Sequence, residues 1–444
     1  MTHSNGHLQQ INELINACFV SQLKEDVDEV TPERENFDGY RKALEMQLPL
    51  LFDLLQQNKN SIFECKDQEG NEILANLLVL LCEISAPNTV YRTANESLQR
   101  NVKRILKEQM PVDKIAIKFL VLSLYQEKIG KTAWKKQIGA LHGFLQFLHE
   151  QFSKKALPKQ WINFCLSVSL TVRDSHEPFC KRIGILLFNL ILNSSDFLSV
   201  QQQNIHSVIY DSAFKDVDFV DSEEAATDIW ECLYKCLDYF KELDSFNWSR
   251  LDDLMEKALK TVTMAPNDLI SLCNMQYIRK CASYFAINKQ EIEVHCNANL
   301  NNPMELKRCR ITCATNNSYI IYRWAKNILN MFIDNSYKLM HDKAISMQFL
   351  TEMFKCYLVC ITPIPLQIIR PHMISFLDKF TAVLMETIVT HKCDQEIVQL
   401  TTSILHTFKK QLEHTSNSPE TADYHKIYTA LSQLLEQTLF LQNK

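Results

Sequence analysis

The sequence predicts an all-α chain, a succession of about fifteen amphipathic helices stacked as a solenoid. Three observations carry this expectation. Only seven glycines occur in 444 residues, and none follows Gly184. The usual frequency of about 7% would place roughly 18 beyond that point. Without glycine the backbone has no cheap route to positive φ, so tight hairpins and phosphate-cradling loops are disfavoured while helices joined by polar turns remain easy. Second, apolar residues recur at three- and four-residue steps in one segment after another. Third, most of the 12 prolines fall at breaks in that pattern or in first turns, where a missing N–H costs least.

In chain order, residues 1–36 read as an N-terminal helix followed by a charged linker. Lys24 to Asp38 is charged, contains Pro32 and is followed by Gly39, which predicts a flexible connection. Residues 37–287 read as a helical array with polar breaks near 58–61, 86–89, 110–113, 129–132, 154–158, 174–178, 194–198, 215–222 and 243–248. Pro87, Pro111, Pro158, Pro178 and Pro266 mark these breaks, whereas Pro49 lies inside an apolar pattern and should kink its helix or delay its start. One helix is expected through Trp134, Ile138, Leu141, Leu145, Leu148 and Phe152, another through Ala225, Ile229, Leu233, Cys236 and Phe240. Asp113 and Asp221 with Ser222 offer oxygens to the orphan amides of first turns. Residues 288–316, asparagine-rich and containing Pro303, read as an irregular insertion and the only internal boundary. Residues 317–444 form a second helical array, its clearest stripe Ile397, Leu400, Ile404, Phe408 and Leu412. Pro363 and Pro365 sit at a break near 361–365, Pro371 lies inside a pattern, and Thr421 is a further expected cap.

The net charge of −5, from 47 basic and 52 acidic residues, supplies no field that would steer nucleic acid or an anionic membrane. The clusters Lys103, Arg104, Lys107 and Lys131, Lys135, Lys136 read as solvated helix faces. No leader of secretory type is apparent, and the longest apolar stretch, Ile183 to Leu192, is far below the roughly 20 residues a bilayer demands. The 15 cysteines, scattered along helical faces, read as small buried hydrophobes in a reducing compartment, cytoplasm and nucleus.

Candidate chemistry is sparse. His295, Cys296, Cys309 and Cys313 are the one cluster with metal-ligand types, but adjacent His295 and Cys296 cannot readily serve one zinc ion and no CxxC knuckle occurs. No GxSxG, HExxH, Walker or dinucleotide pattern is present. His142 and His149 sit seven residues apart on one helix and read as packing and surface residues. Asp252 with Asp253, and Glu223 with Glu224, fall near helix starts, where the macrodipole favours them. Trp134, Trp161, Trp230, Trp248 and Trp324 mostly fall on apolar stripes. Lys307, Arg308 and Arg310 read as a solvated loop. The expectation is therefore a chain without catalytic residues, cofactor or metal.

Helix pairs of about 35 to 50 residues match the period of HEAT repeats. The sharpest unit is Trp161 to Ile191, with Asp174 at its turn, Lys181 and Arg182 just before small Gly184, and Phe188 and Ile191 following at helical steps. In such units the turn aspartate and the basic residue can hydrogen-bond between repeats, while the small residue lets paired helices approach. After it comes Asn204-Ile-His-Ser-Val208-Ile-Tyr210-Asp-Ser-Ala-Phe214. This order of Asp174, Lys181, Gly184, Asn204, Val208, Tyr210 and Phe214 resembles the central region of the Tti-two family, the second of the Tel-two-interacting proteins, over roughly residues 135–290.

That resemblance implies a HEAT-like α-solenoid acting as a non-enzymatic subunit of the TTT co-chaperone complex. Its partners would be Tti-one and Tel-two homologues. Indirectly it would serve the ninety-kilodalton heat-shock chaperone machinery and phosphatidylinositol-kinase-related kinases of the mTOR, ATM and ATR types. Two other readings compete: a HEAT-repeat nuclear-transport receptor or other solenoid adaptor, which modest length and charge disfavour, and an enzyme built around Cys309 and Cys313.

Overall fold

The computed structural model describes residues 2–63, 67–108, 110, 114–153, 155–220, 222–240, 248–264, 268–285, 347–361 and 395–413, with scattered positions between 324 and 334 and between 426 and 436. Among them there is no strand; helices pack largely on their sequence neighbours in a solenoid-like succession. None of the described helices is long and apolar enough to cross a membrane.

The chain divides into two compact units, Met1–Lys215 with Glu231–Tyr239, and Asp216–Trp230 with Phe240–Lys444. The division falls inside the stretch 37–287 that the sequence marks as one array. The expected insertion at 288–316 lies outside the described residues, as do His295, Cys296, Cys309, Cys313, Lys307, Arg308, Arg310, Asp113, Asp221, Pro371 and Thr421.

In the first unit α1 (Thr2–Cys18), α2 (Asp38–Gln57) and short α3 (Lys59–Phe63) precede α4 (Gln68–Ser85). Asp67 caps α4 by accepting from the Gly70 amide at 2.7 Å. From Leu77 to Ser85 every residue of α4 is buried, because α1, α5 (Glu96–Glu108), α6 (Ile115–Ile129) and α7 (Ile138–Phe152) surround it. A helix apolar on every side belongs at such a centre. Helix α2 runs unbroken through Pro49 from Asp38, so that proline neither ends it nor delays its start. Trp134 belongs to a short 3-10 turn before α7 rather than to the helix, yet it is fully buried.

Between α6, α7 and α8 (Lys159–Arg173) lies an aromatic cluster: Tyr125, Phe144, Phe147, Phe152, Phe164 and Trp161, with ring centroids 5.0 to 6.4 Å apart. Each buried ring of this kind stabilises by about 2 kcal/mol from area alone. Pro158 precedes α8, and Pro178 opens α9 (Pro178–Ser194) at the position where its absent N–H is harmless. Short α10 (Phe197–Gln202) and α11 (Ile205–Asp216) follow.

Helix α12 (Glu223–Phe240) contributes residues to both units, and the Ser222 hydroxyl accepts from the Ala225 amide at its start. In the second unit Trp230 stacks on Tyr277 at 5.4 Å and donates to Asn274 Oδ1 at 2.7 Å. Among the described residues four helices pack there one on the next, α13 (Arg250–Met264), α14 (Asp268–Phe285), α15 (Met347–Ile361) and α16 (Gln395–Glu413). Ion pairs tie α14 to α15 through Arg279 and Glu352 at 2.7 Å, and α15 to α16 through Lys355 and Glu396 at 2.7 Å. Asp252 is more than a macrodipole partner. Fully buried, it caps α13 by accepting from Ser249 and takes the Trp324 indole N–H at 2.9 Å.

Candidate interaction site

The family-motif residues gather around the turn between α8 and α9 and along α11. Gly184 is buried against α8, where a Cβ would fall 3.0 Å from the Ser169 carbonyl oxygen and into the Arg173 side chain. Bare backbone at this position is what lets the pair approach. Asp174 ends α8 and is exposed, making no side-chain hydrogen bond or ion pair with a described residue. Lys181 is half-buried in the first turn of α9.

A tie from α8 to α11 is made one residue before Asp174. Arg173 is buried, lays its stem on Gly184, holds its guanidinium 5.3 Å over the Phe188 ring and donates to the Ser212 carbonyl of α11. A fixed guanidinium fork satisfies a remote carbonyl and covers an aromatic face together, which an exposed aspartate at a turn cannot do.

Asn204 joins α10 to α11 at φ 54°, in the left-handed region. Asparagine tolerates that conformation better than any other residue but glycine, so the motif asparagine has a backbone reason in a stretch without glycine. Along α11, Tyr210 is buried and stacks on half-buried Phe214 at 5.7 Å, while Val208 points out, 42% exposed. His206 stacks on Tyr239 at 5.4 Å, and that tyrosine donates to the Leu192 carbonyl at 3.2 Å. Of the seven residues, Gly184, Tyr210 and Phe214 are held in helix packing and Asn204 in a left-handed joint, and the exposed apolar side chains near them in sequence are Leu198 and Val208.

Sequence reasoning missed a second assembly. The segment after α1, expected as a flexible connection, is a strap tied across the first unit. Its backbone bonds Leu23 N to Lys136 O at 2.9 Å and Val27 N to Lys135 O at 3.1 Å. Asp28 pairs with Lys135 at 2.7 Å and accepts from Ser175 and the His176 amide; Asp26 lies 3.8 Å from Lys136, and Thr31 donates to Glu177 at 2.6 Å. Burial pushes the Asp28 carboxyl up, but the hydrogen bonds from Lys135, Ser175 and His176 outweigh it and hold its pKa below the usual value. Lys135 and Lys136 are therefore not a merely solvated face.

Beneath the strap sits Glu83, fully buried on α4. One carboxyl oxygen accepts the Val20 amide at 3.4 Å and the other has no hydrogen-bond partner. Burial pushes its pKa up to about 7, with only partial relief from the Lys128 charge and the Val20 amide. It fits there because Gly143 of α7 leaves room; a Cβ at 143 would fall 2.6 Å from Glu83 Cγ and 3.0 Å from its backbone nitrogen. The signal available in the sequence is a lone carboxylate inside the apolar run Ile73 to Ile84.

The cysteines at 18, 82, 165, 180, 232, 236, 273 and 356 are buried, and burial raises the thiols of Cys18 to about 11, Cys273 to about 11 and Cys180 to about 12. Such thiols do not supply thiolate at neutral pH. His142 lies between the Tyr91 and Phe179 rings, and burial drives its pKa to about 4; His149 is exposed. Among the described residues no group of three metal-ligating side chains converges. Of the five tryptophans, Trp134, Trp161, Trp230 and Trp324 are buried and Trp248 is 54% exposed. Scans against protein-family models, curated proteins and solved structures return no match.

Proposed function

We propose that this chain is a non-enzymatic scaffold subunit of the TTT co-chaperone complex, working in cytoplasm and nucleus. It would join Tti-one and Tel-two homologues and so support the maturation of phosphatidylinositol-kinase-related kinases of the mTOR, ATM and ATR types by the ninety-kilodalton heat-shock chaperone. The observation that carries the reading is the run Asn204 to Phe214. Its left-handed asparagine, outward Val208 and paired Tyr210 and Phe214 continue directly from a helix pair closed on Gly184. A stack of helices buries large areas against another solenoid through such ridges, without any reactive group. Affinity purification of the chain from its native cell under gentle lysis should recover Tel-two and Tti-one homologues. Their absence would reject the proposal.

A further inference from the structure

Two basic clusters of the first unit differ in what faces them. Lys135 and Lys136 receive Asp28 and Asp26 of the strap, two carboxylates two residues apart at a turn closed by the Glu29 and Val30 amides on the Asp26 carbonyl, meeting two adjacent lysines. Among the described residues the other cluster has no such cover. Arg100, Lys103, Arg104 and Lys107 are all exposed, and none forms an ion pair with a described residue. Among the described residues their one tie is Arg100 Nε donating to the Glu96 carbonyl of its own helix. At 100° per residue these four positions occupy one arc about 100° wide and about 10 Å long on α5, in a chain whose net charge is −5.

We infer that the exposed stripe of α5 is a docking site for a short Asp/Glu-rich segment of a partner protein, recognised as the strap's own acids are recognised by Lys135 and Lys136. The length of the stripe selects that occupant. Exposed Glu96 lies beyond one end of the stripe within the same arc and exposed Glu108 beyond the other end, about 40° to one side, the two about 18 Å apart along the helix. A nucleic acid or a membrane plane carries its charge past both ends and meets those carboxylates, whereas three or four acidic residues fit between them. Charge pairing at such a surface is screened by salt and read mainly as specificity and encounter rate. The inference stands apart from the co-chaperone reading, since it needs only the geometry of α5.

The test uses the full chain and a fluorescein-labelled octapeptide of glutamates, with binding followed by anisotropy at 50 and 150 mM salt. Lys103→Glu with Arg104→Glu should weaken binding at least tenfold. The charge-matched control Lys131→Glu with Lys159→Glu, at exposed lysines outside α5, should change it less than twofold. Unchanged thermal midpoints exclude misfolding of these surface variants. Equal losses in both double variants would reduce the effect to bulk charge and overturn the inference, and so would no peptide binding at 50 mM salt. Stripe-dependent binding of a 20-nucleotide single-stranded RNA or of phosphatidylserine vesicles, tighter than that of the peptide at 150 mM salt, would overturn it in favour of a polyanion.

Discussion

Helices α8 and α9 and the strap over α4 and α7 are held by the same kinds of force, but at opposite sequence ranges. The helix pair closes across the turn 174–177, and Gly184 meets residues of the helix immediately before it. The strap's ties to Lys135, Lys136, Ser175, His176 and Glu177 join residues 107 to 148 positions apart. Local pairing is enforced by periodicity, whereas a strap is defined only by what the remote surface offers. The comparison separates a region whose stability is built into its repeat from one whose stability is borrowed from distant carboxylates, amides and glycines.

The largest way to break the strap side is at Gly143. Leucine there has to displace Glu83, backbone included, between two central helices, and should cost about 4 kcal/mol. A urea midpoint close to that of the parent would show that α4 and α7 are not in the contact described. Next comes Glu83 itself. Its pKa is raised in the folded chain from 4.5 to about 7, so the folded state holds a proton that the unfolded state releases. Stability from this group is full below pH 4.5 and falls by roughly 3 kcal/mol as pH rises to 7. Glu83→Gln keeps the shape without titrating and should remove that part of the slope. Parallel pH profiles for parent and variant would refute the assignment.

The legibility of these two regions differs for the same reason. The stripe Ile397 to Phe408, the start of α9 at Pro178 and the closeness of Gly184 to α8 follow from spacing along one or two helices. The role of Arg173 does not, because the partner that holds it is a backbone carbonyl on α11 and every residue has one. Asn204 was legible as a motif residue but its left-handed backbone was not; Asn88 adopts φ 55° and Lys131 φ 53° in the same way, sparing the chain further glycines. The strap looked flexible because charge and Pro32 are also what a solvated linker contains. Only its acids' partners, more than a hundred residues away, distinguish the two.

On the helix-pair side, Gly184→Leu sharpens the comparison. The added side chain meets a flexible arginine stem as well as the Ser169 carbonyl, so part of the clash can relax, and a cost of about 2 kcal/mol is expected. The loss should be accompanied by greater hydrogen exchange at the α11 end, where Arg173 is anchored. A melting midpoint equal to the parent's would mean that α8 and α9 tolerate separation at this point.

The smallest effect belongs to Asp28→Asn, and its sign against pH is the most discriminating result. Asp28 holds a partly buried ion pair with Lys135 together with bonds from Ser175 and the His176 amide, and asparagine keeps an acceptor while losing the charge. The expected cost at pH 7 is about 1 kcal/mol. Because the carboxyl titrates below 3.8 in the folded chain, its contribution is present above that value and is lost as pH falls through the lowered folded pKa, the reverse of Glu83. Hydrogen exchange of residues 20–30 should therefore be faster in the variant at pH 7, with the difference closing in acid. A difference that persists unchanged through the protonation of the Asp28 carboxyl would assign the strap's attachment to its backbone bonds with Lys135 and Lys136 instead of to this carboxylate.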